Sequence, residues 1–580
     1  MTEGRQASVV EMAPMRTAKE SYDVAILGGG LAGLTLSIQL KKERPETSLA
    51  VLEKREGPAP LAAFKVGEST VLSGAHYFAE VVGMRNHLDE KHLRKNGLRF
   101  FPPAGDNSDI TKRVESGPPI FSPVATWQLD RGLYENELAA RARAAGVELL
   151  QGARVAGVEL GDELHTVNFT HFDEERATRA RWVVDAAGRA SLLKRQLGLS
   201  EGVEHTINSA WFRLAGGLDI EEWGASNPDW MGRMAEPGLR TFSTNHLLGE
   251  GYWVWMIPLS TGPISIGVCA DPRYHPFEEI ETLEGMVDWL HRHEPQLAAA
   301  VEPRLGQVED FLRVKDFAYG VKRMLSPERW SLVGEAAAFA DPYISPGSDM
   351  IAYSNTFSCD VITRSLDGED VSDRIEYWDR LYHRTFEHVL SRTENVYPVF
   401  GNPWVMAVKF SWDAWISHCA QVLLFVKGKL TDIDFVRSVE EEVGRIYRLN
   451  IQMHELFRDW HELEPRDYEN EFVKTALVTP IRENLAMPNE DYDDDGLRDK
   501  LRWQVRMSEA MSVAVFHKAA AALPEPPDPA RAVNPYALGL KPDQWETSGL
   551  HDEPGMTLEQ ARQAAEGVDW LWLDYVPPEA

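Results

Sequence analysis

The chain has little cysteine, little positive charge and no long apolar run. Only three of its 580 residues are cysteine, and Cys269, Cys359 and Cys419 stand far apart. That leaves no zinc spacing and no disulfide framework, so a reducing, cytoplasmic setting is expected. Lys and Arg number 60 against 90 Asp and Glu, a net charge of −30. This argues against nucleic acid, which needs clustered cations, and against an anionic membrane surface as partners. Any anion used must be held by local N–H groups or a local cation, because the overall field repels it. No stretch is apolar for eighteen residues, so no membrane span is expected. The first twenty residues lack an apolar core and read as a disordered tail rather than a signal peptide. There is no internal repeat and no second G-x-G-x-x-G.

The one G-x-G-x-x-G that is present organises the rest. Tyr22 to Leu27 is an apolar run of strand type, followed by Gly28, Gly30 and Gly33 and then by an apolar-periodic helix from Leu31 through Ala32 to Leu40. A second apolar run from Leu49 ends on Glu53 and Lys54, the acid falling twenty residues after Gly33. Strand, glycine turn, helix, strand and terminal acid together are the dinucleotide fingerprint. Gly28 allows the tight turn, Gly30 lets the backbone approach a pyrophosphate, and Gly33 lets the helix sit close on the strand. The helix N-terminus offers unpaired N–H groups to phosphate, and Glu53 would accept from a ribose hydroxyl. The fingerprint alone does not separate FAD from NAD.

Beyond it lie Phe64-Lys65-Val66-Gly67-Glu68-Ser69-Thr70, a helix expected over about 73–82, a basic turn at His92 to Phe100, and a helix opened by Trp127 to Arg131. Further strands are expected over 147–150, 153–158 and 181–184. Alternating runs from about 205 to 275 predict an antiparallel sheet inserted into the α/β unit. Trp330 to Val333 returns to that unit. Past about 365 helical periodicity dominates, with Trp404, Trp412, Trp415 and Trp460 as apolar anchors. The expected division is a tail over 1–20, a dinucleotide-binding part over 21–204, a sheet region over 205–325, a return segment over 326–365 and a helical region over 366–580. The last contains a Pro-rich linker at 524–529 and ends on a capping box, Thr557 to Gln560, before a helix carrying Trp570 and Trp572. Asp491 to Gly496 opens like an EF-hand loop, but its twelfth position is Arg502, so a solvated acidic loop is expected.

Four further stretches resemble the flavin-dependent halogenases, a branch of the FAD monooxygenase-like superfamily, over about residues 20 to 365. Trp253-Val254-Trp255-Met256-Ile257-Pro258 matches W-x-W-x-I-P, whose tryptophans in that family wall the flavin tunnel; residues two apart share one side of a strand. Phe339 to Gly347 matches F-x-x-P-x-x-S-x-G through Pro342, Ser345 and Gly347. Lys95 stands in a K-x-G-x-x-F pattern whose lysine is essential in the family. Gln128, Arg131, Asp185 and Gly188 resemble FAD-contacting elements.

The resemblance implies a Rossmann-like α/β FAD-binding fold with an inserted antiparallel sheet and a mainly helical C-terminal domain. It implies FAD as cofactor, contacted by Gly28, Gly30, Leu31, Ala32, Gly33, Glu53, Lys54, Gly67, Glu68, Ser69, Gln128, Arg131, Asp185, Gly188, Gly334, Glu335 and Pro342. Halide would sit near Gly347 and Ser348. Trp253, Trp255, Ile257 and Pro258 would form the wall, and Lys95 and Ser345 would be catalytic, with hypohalous acid passing to Lys95. An ammonium suits that role because its pKa falls readily on burial.

Three positions depart from the family. Glu335 replaces the usual Asp after Gly334, Ile344 replaces the Glu of tryptophan-acting members, and Pro346 lacks an N–H that could hold halide. A phenolic or pyrrolic substrate of secondary metabolism, free or tethered to a carrier protein, is therefore expected rather than tryptophan. With no second nucleotide motif, reduced FAD would arrive from a partner flavin reductase. Two other readings stay open: a flavin hydroxylase of an aromatic substrate, and a flavin-binding protein without turnover.

Overall fold

The structure is a computed structural model that describes residues 18–61, 67–474 and 479–565. Most of the expected N-terminal tail, Phe64 to Val66, and Trp570 and Trp572 lie outside the described residues.

The strand Ser21–Leu27 lies at the middle of an eight-stranded sheet, parallel to Glu174–Asp185 on one side and to Leu49–Glu53 on the other. Trp330–Leu332 and Glu148–Gln151 extend the sheet outward, also in parallel. Val24 to Leu27 and Leu49 to Leu52 are buried without alternation, as parallel strands covered on both faces require. Helix Leu31–Glu43 begins as soon as the glycine turn ends. The turn admits no side chain. Gly28 has φ +115°, and a Cβ there would stand 2.5 Å from the Ala186 carbonyl oxygen. One on Gly33 would stand 2.1 Å from the Gly28 carbonyl oxygen. Leu27, Glu53, Asp185 and Leu332 therefore all end at one edge, the edge at which open α/β sheets bind ligands.

The second sheet also has eight strands. Its four long central strands, Asn208–Leu214, Ile264–Ala270, Tyr252–Pro258 and Thr244–Gly249, are antiparallel, as the alternation predicts. The sheet also recruits Leu98–Phe101, which runs parallel to Thr244–Gly249, and Phe472–Val473 from the helical region. Neither pairing is local, so no periodicity announces it. Strand alternation divides the two faces: Tyr252, Val254 and Met256 pack with the helices Leu283–His293 and Pro295–Val301 in one apolar cluster. Trp253, Trp255 and Ile257 join the main core.

Two local expectations shift. The helix placed over 73–82 is α-helical only over Leu72–His76 and widens into a π-turn over Tyr77–Val81. Trp127–Gln128 is a short strand, and the following helix starts at Arg131 because the Asp130 carboxylate caps it by accepting from the Leu133 N–H.

Five long helices, Gly347–Leu366, Ser372–Leu390, Pro403–Ile416, Glu440–Leu463 and Asp494–Ala520, build the C-terminal half. Trp404, Trp412, Trp415 and Trp460 are buried there and belong to the same apolar cluster as the first sheet. The acidic stretch after Asp491 supplies a helix start: Asp493 accepts from the Gly496 N–H, and Asp494 and Asp495 occupy the first turn, where the helix dipole favours acids. Among the described residues no cluster of metal-ligating side chains occurs, and no helix is long and apolar enough to cross a membrane.

Candidate active site

The glycine turn presents the N-terminus of Leu31–Glu43 with Gly30 as its cap and no side chain satisfying the first-turn amides. That is the donor set a pyrophosphate needs. Glu53 is already tied to this turn, for its carboxylate accepts from the Gly29 and Arg55 N–H groups at 2.8 and 2.9 Å. Lys54 beyond it is exposed. Ala32 packs near Gly334. Asp185 is fully buried, and its carboxylate accepts from the Ala187 and Leu193 N–H groups at 3.0 and 2.7 Å; it shapes the turn that holds Gly188 at φ +60°. Burial pushes its pKa up.

A chamber of about 150 Å³ opens beside this edge. Its lining brings together Leu31, Gly67, Glu68, Ser69, Arg131, Gly334, Glu335, Pro342, Ser345, Gly347 and Ser348, segments separated by up to some 300 residues in sequence. Arg131 donates to Glu135 at 2.7 Å. The Glu68 carboxylate accepts from the Arg213 guanidinium, so this acid is committed to a buried ion pair. Gly347 opens the helix Gly347–Leu366, and the hydroxyl of Ser348 is buried with no hydrogen-bond partner among the described residues.

One wall of the chamber is Trp253, Trp255 and Ile257. The two indoles are 5.6 Å apart between centroids. Pro258 has the opposite strand parity, so it falls on the Met256 side and is not part of the wall; the motif spelled it beside the tryptophans, but alternation turns it away. The Trp253 indole N–H donates to the Tyr397 hydroxyl at 2.9 Å, and that hydroxyl donates to Asp341 at 2.6 Å. His205 meets the same Asp341 oxygen at 2.8 Å. The Trp255 indole donates to Ser265 at 3.1 Å and lies over Gly267, where a Cβ would stand 2.1 Å from a ring carbon.

A second chamber of about 210 Å³ lies between the sheet region and the C-terminal helices, and Pro346 lines both chambers. Lys95 lines the second chamber and is 2% exposed. Its ammonium donates to the Ser69 hydroxyl at 2.7 Å and to the Thr70 carbonyl at 2.9 Å. The Ser345 hydroxyl, reaching from the first chamber, donates to the same Ser69 oxygen at 3.0 Å. Ser345 sits at φ +59°, a left-handed conformation uncommon for a residue with a side chain. Ser69 also meets the Thr244 hydroxyl at 2.9 Å, and the buried Gln128 amide donates to Thr244 at 2.8 Å. Ser69 thus joins a hydrogen-bonded path from one chamber to the other. Burial lowers the Lys95 pKa to about 7, since no carboxylate pairs directly with it among the described residues.

Sequence reasoning missed the polar groups that the helices place in the second chamber. Asp349, in the first turn of Gly347–Leu366, accepts from the Gly74 N–H at 2.6 Å, and burial raises its pKa to about 7. Asp413 is paired with Lys409 and His454, which hold its carboxyl at about 2 against its burial. His388, Arg392 and Tyr447 complete that side. In the first chamber His246 stacks on Phe100 at 4.6 Å, and burial brings its pKa down to about 3. In the sequence these residues read as ordinary buried positions. Only the packing of distant helices and strands gathers them.

A family model described as an FAD binding domain matches residues 21–261. The chain is 28% identical over 391 residues to a flavin-dependent halogenase of Dictyostelium discoideum, an alignment that covers 62% of this chain and 63% of that protein. The chain therefore spans just under two thirds of that relative's length. It is 26% identical over 359 residues to a 1H-pyrrole-2-carbonyl-(peptidyl-carrier protein) brominase of Pseudoalteromonas luteoviolacea, covering 60% of this chain and 79% of that one. Among solved structures, halogenase PltM in complex with phloroglucinol and FAD superposes with a TM-score of 0.59 at 18% identity, covering 84% of this chain and 96% of that chain. At that identity the likeness speaks for the fold. The matched FAD binding domain and these likenesses make the chain a flavoprotein with FAD as its cofactor, similar in sequence to the flavin-dependent halogenases and sharing their fold.

Proposed function

We propose that the protein is an FAD-dependent halogenase that places halogen on a small, electron-rich aromatic molecule, with reduced FAD supplied by a separate flavin reductase. The observation that carries this reading is Lys95: an ammonium buried in a chamber of its own and hydrogen-bonded through Ser69 to the chamber beside the dinucleotide edge. A lysine kept only for solubility would be exposed.

FAD, when bound, supplies the oxidation of halide by O2 to hypohalous acid. The first-turn amides after Gly30 would hold its pyrophosphate, and the chamber lined by Gly334, Pro342 and Gly347 would receive its flavin end. Gly347 and Ser348 hold the halide. Trp253 and Trp255 keep the organic molecule out of the flavin chamber, which directs the oxidant away from direct oxygen transfer. Lys95 and Ser345 orient the hypohalous acid by hydrogen bonds, the ammonium donating to its oxygen and leaving the halogen as the electrophile. Asp349 lines the same chamber and takes the proton lost from the substituted carbon; its raised pKa suits a base working near neutrality. The protein positions groups and excludes water, and the cofactor carries the redox chemistry.

The test is turnover. The purified protein is mixed with FAD, a flavin reductase, NADH and bromide or chloride, and offered a panel of phenols and pyrroles. A product with the halogen isotope pattern is expected by mass spectrometry. A product heavier by one oxygen instead would mean that the tryptophan wall admits the substrate to the flavin, and would overturn the halogenase reading.

A further inference from the structure

The second chamber holds a buried cation that the proposed chemistry does not use. Arg392 lies in the turn after helix Ser372–Leu390, is 6% exposed and lines the chamber. Its guanidinium donates to the Ser417 hydroxyl at 2.9 Å and to the His388 imidazole at 2.9 Å. Both partners are neutral. Its bonded partners among the described residues include no carboxylate, and its Nε finds no acceptor. Buried arginines are ordinarily paired with an acid, and this chain follows that rule elsewhere, at Arg99, Arg113, Arg213 and Arg240.

Asp413 and Asp349 act on Arg392 through space against its desolvation, but neither is bonded to it. Asp413 is taken by Lys409 and His454, and Asp349 is held by the Gly74 amide. The imidazole cannot carry the balancing charge either. A guanidinium only donates, so the His388 Nε2 must accept and the proton sits on Nδ1. That Nδ1–H is buried without a partner as well. Burial and the adjacent Arg392 keep His388 neutral. This side of the chamber therefore carries a guanidinium to which no carboxylate is bonded, while apolar side chains such as Val389, Phe410 and Ile416 supply a slot for a ring.

We propose that Arg392 is the anchor for a carboxylate on the substrate, so that the ligand of this chamber is a free aromatic acid. The planar guanidinium fork matches a carboxylate better than a point charge would. A carboxylate at Arg392, on the helical wall, leaves the ring toward the wall that carries Lys95. The assignment also separates two substrate classes. An acyl group tethered to a carrier protein is a thioester, which has no carboxylate and would leave the guanidinium unpaired. The inference rests on the proposed function only for the fate of the ligand, because binding requires no turnover.

The experiment measures equilibrium binding to the FAD-loaded protein by calorimetry. The probes are the three hydroxybenzoates and pyrrole-2-carboxylate, each beside its methyl ester and its N-acetylcysteamine thioester. At least one acid is expected to bind at least about tenfold tighter than its ester and thioester, the scale of losing a buried charge pair. Arg392→Met should erase that preference and Arg392→Lys should retain part of it, with circular dichroism and melting confirming that both variants fold. Esters or thioesters binding as well as the acids, a preference that survives in Arg392→Met, or no binding by any acid would each overturn the proposal. So would displacement of the acids by millimolar bromide, which would make Arg392 a halide site. Acid binding through Arg392 without halogenated product would sink the proposed function and leave this inference standing; halogenation with equal binding of acid and ester would do the reverse.

Discussion

The Lys95 ammonium and the Ser345 hydroxyl meet on a single oxygen, that of Ser69, at 2.7 and 3.0 Å. The two residues come from segments 250 positions apart and line different chambers. Their shared contact links the two chambers by hydrogen bonds, and on the proposed function it is where the oxidant would pass from one to the other.

Replacing Lys95 by methionine should therefore separate two activities. Halogenated product should fall by about a hundredfold or more, the scale of removing a positioned proton donor, while reduced FAD is reoxidised at an unchanged rate. Mass spectrometry and the flavin absorbance follow the two in one reaction. Equal losses of both would place Lys95 in flavin binding.

The yield should depend on pH with a definite sign. Burial disfavours the charged amine and brings Lys95 to about 7, so the ammonium that donates to the oxidant is present below that value and lost above it. Product formed per flavin oxidised should fall as pH rises through about 7. A yield that is flat or climbs across that range would reject the ammonium as donor.

Asp349 gives a stability test independent of turnover. Its carboxyl is raised from 3.8 to about 7, so between these values the folded chain holds a proton that the unfolded chain has released. Stability should then decline as pH rises from about 4 to 7, when this acid is compelled to ionise in place. Asp349→Asn removes that contribution. The urea midpoint of the variant minus that of the parent should grow across this interval and level off above it.

The tryptophan wall should be sensitive to small changes. Gly267→Ala sets a Cβ 2.1 Å from the Trp255 ring and should cost about 1–3 kcal/mol by overpacking, read by denaturant unfolding of the FAD-loaded protein. Tyr397→Phe deprives the Trp253 indole of its acceptor and should cost about 1–3 kcal/mol for a buried donor left unmade. A neutral result for either would mean that the indoles repack freely.

The sequence made the dinucleotide turn, the two core strands beside it and the aromatic strand readable, because each depends on neighbours within a few residues. Gly28 and Gly33 are legible since only a residue without a side chain survives there. The matched FAD binding domain bears out the cofactor, and the fold class also stands. The pairing of Leu98–Phe101 with Thr244–Gly249 was not legible, because parallel partners 146 residues apart leave no local trace. Pro258 shows the opposite failure: a motif lists contiguous letters, whereas a strand deals them alternately to two faces. Arg392, Asp349 and His388 were invisible because a buried polar group on or just past an amphipathic helix looks like any polar residue until other helices close around it.

The link from Trp253 through the Tyr397 hydroxyl to Asp341 limits how this protein can be rebuilt. Tyr397 belongs to the helical half, while Trp253 and Asp341 line the chamber beside the dinucleotide edge. A chimera that exchanged the helices to change the acceptor molecule would also exchange the group that fixes the barrier. Such a graft would have to bring a hydroxyl back to the same point, or it would gain a new scope while losing the partition that keeps oxidant and acceptor apart. On the proposed function, selectivity and containment would thus be fastened at one phenol, and neither could be redesigned alone.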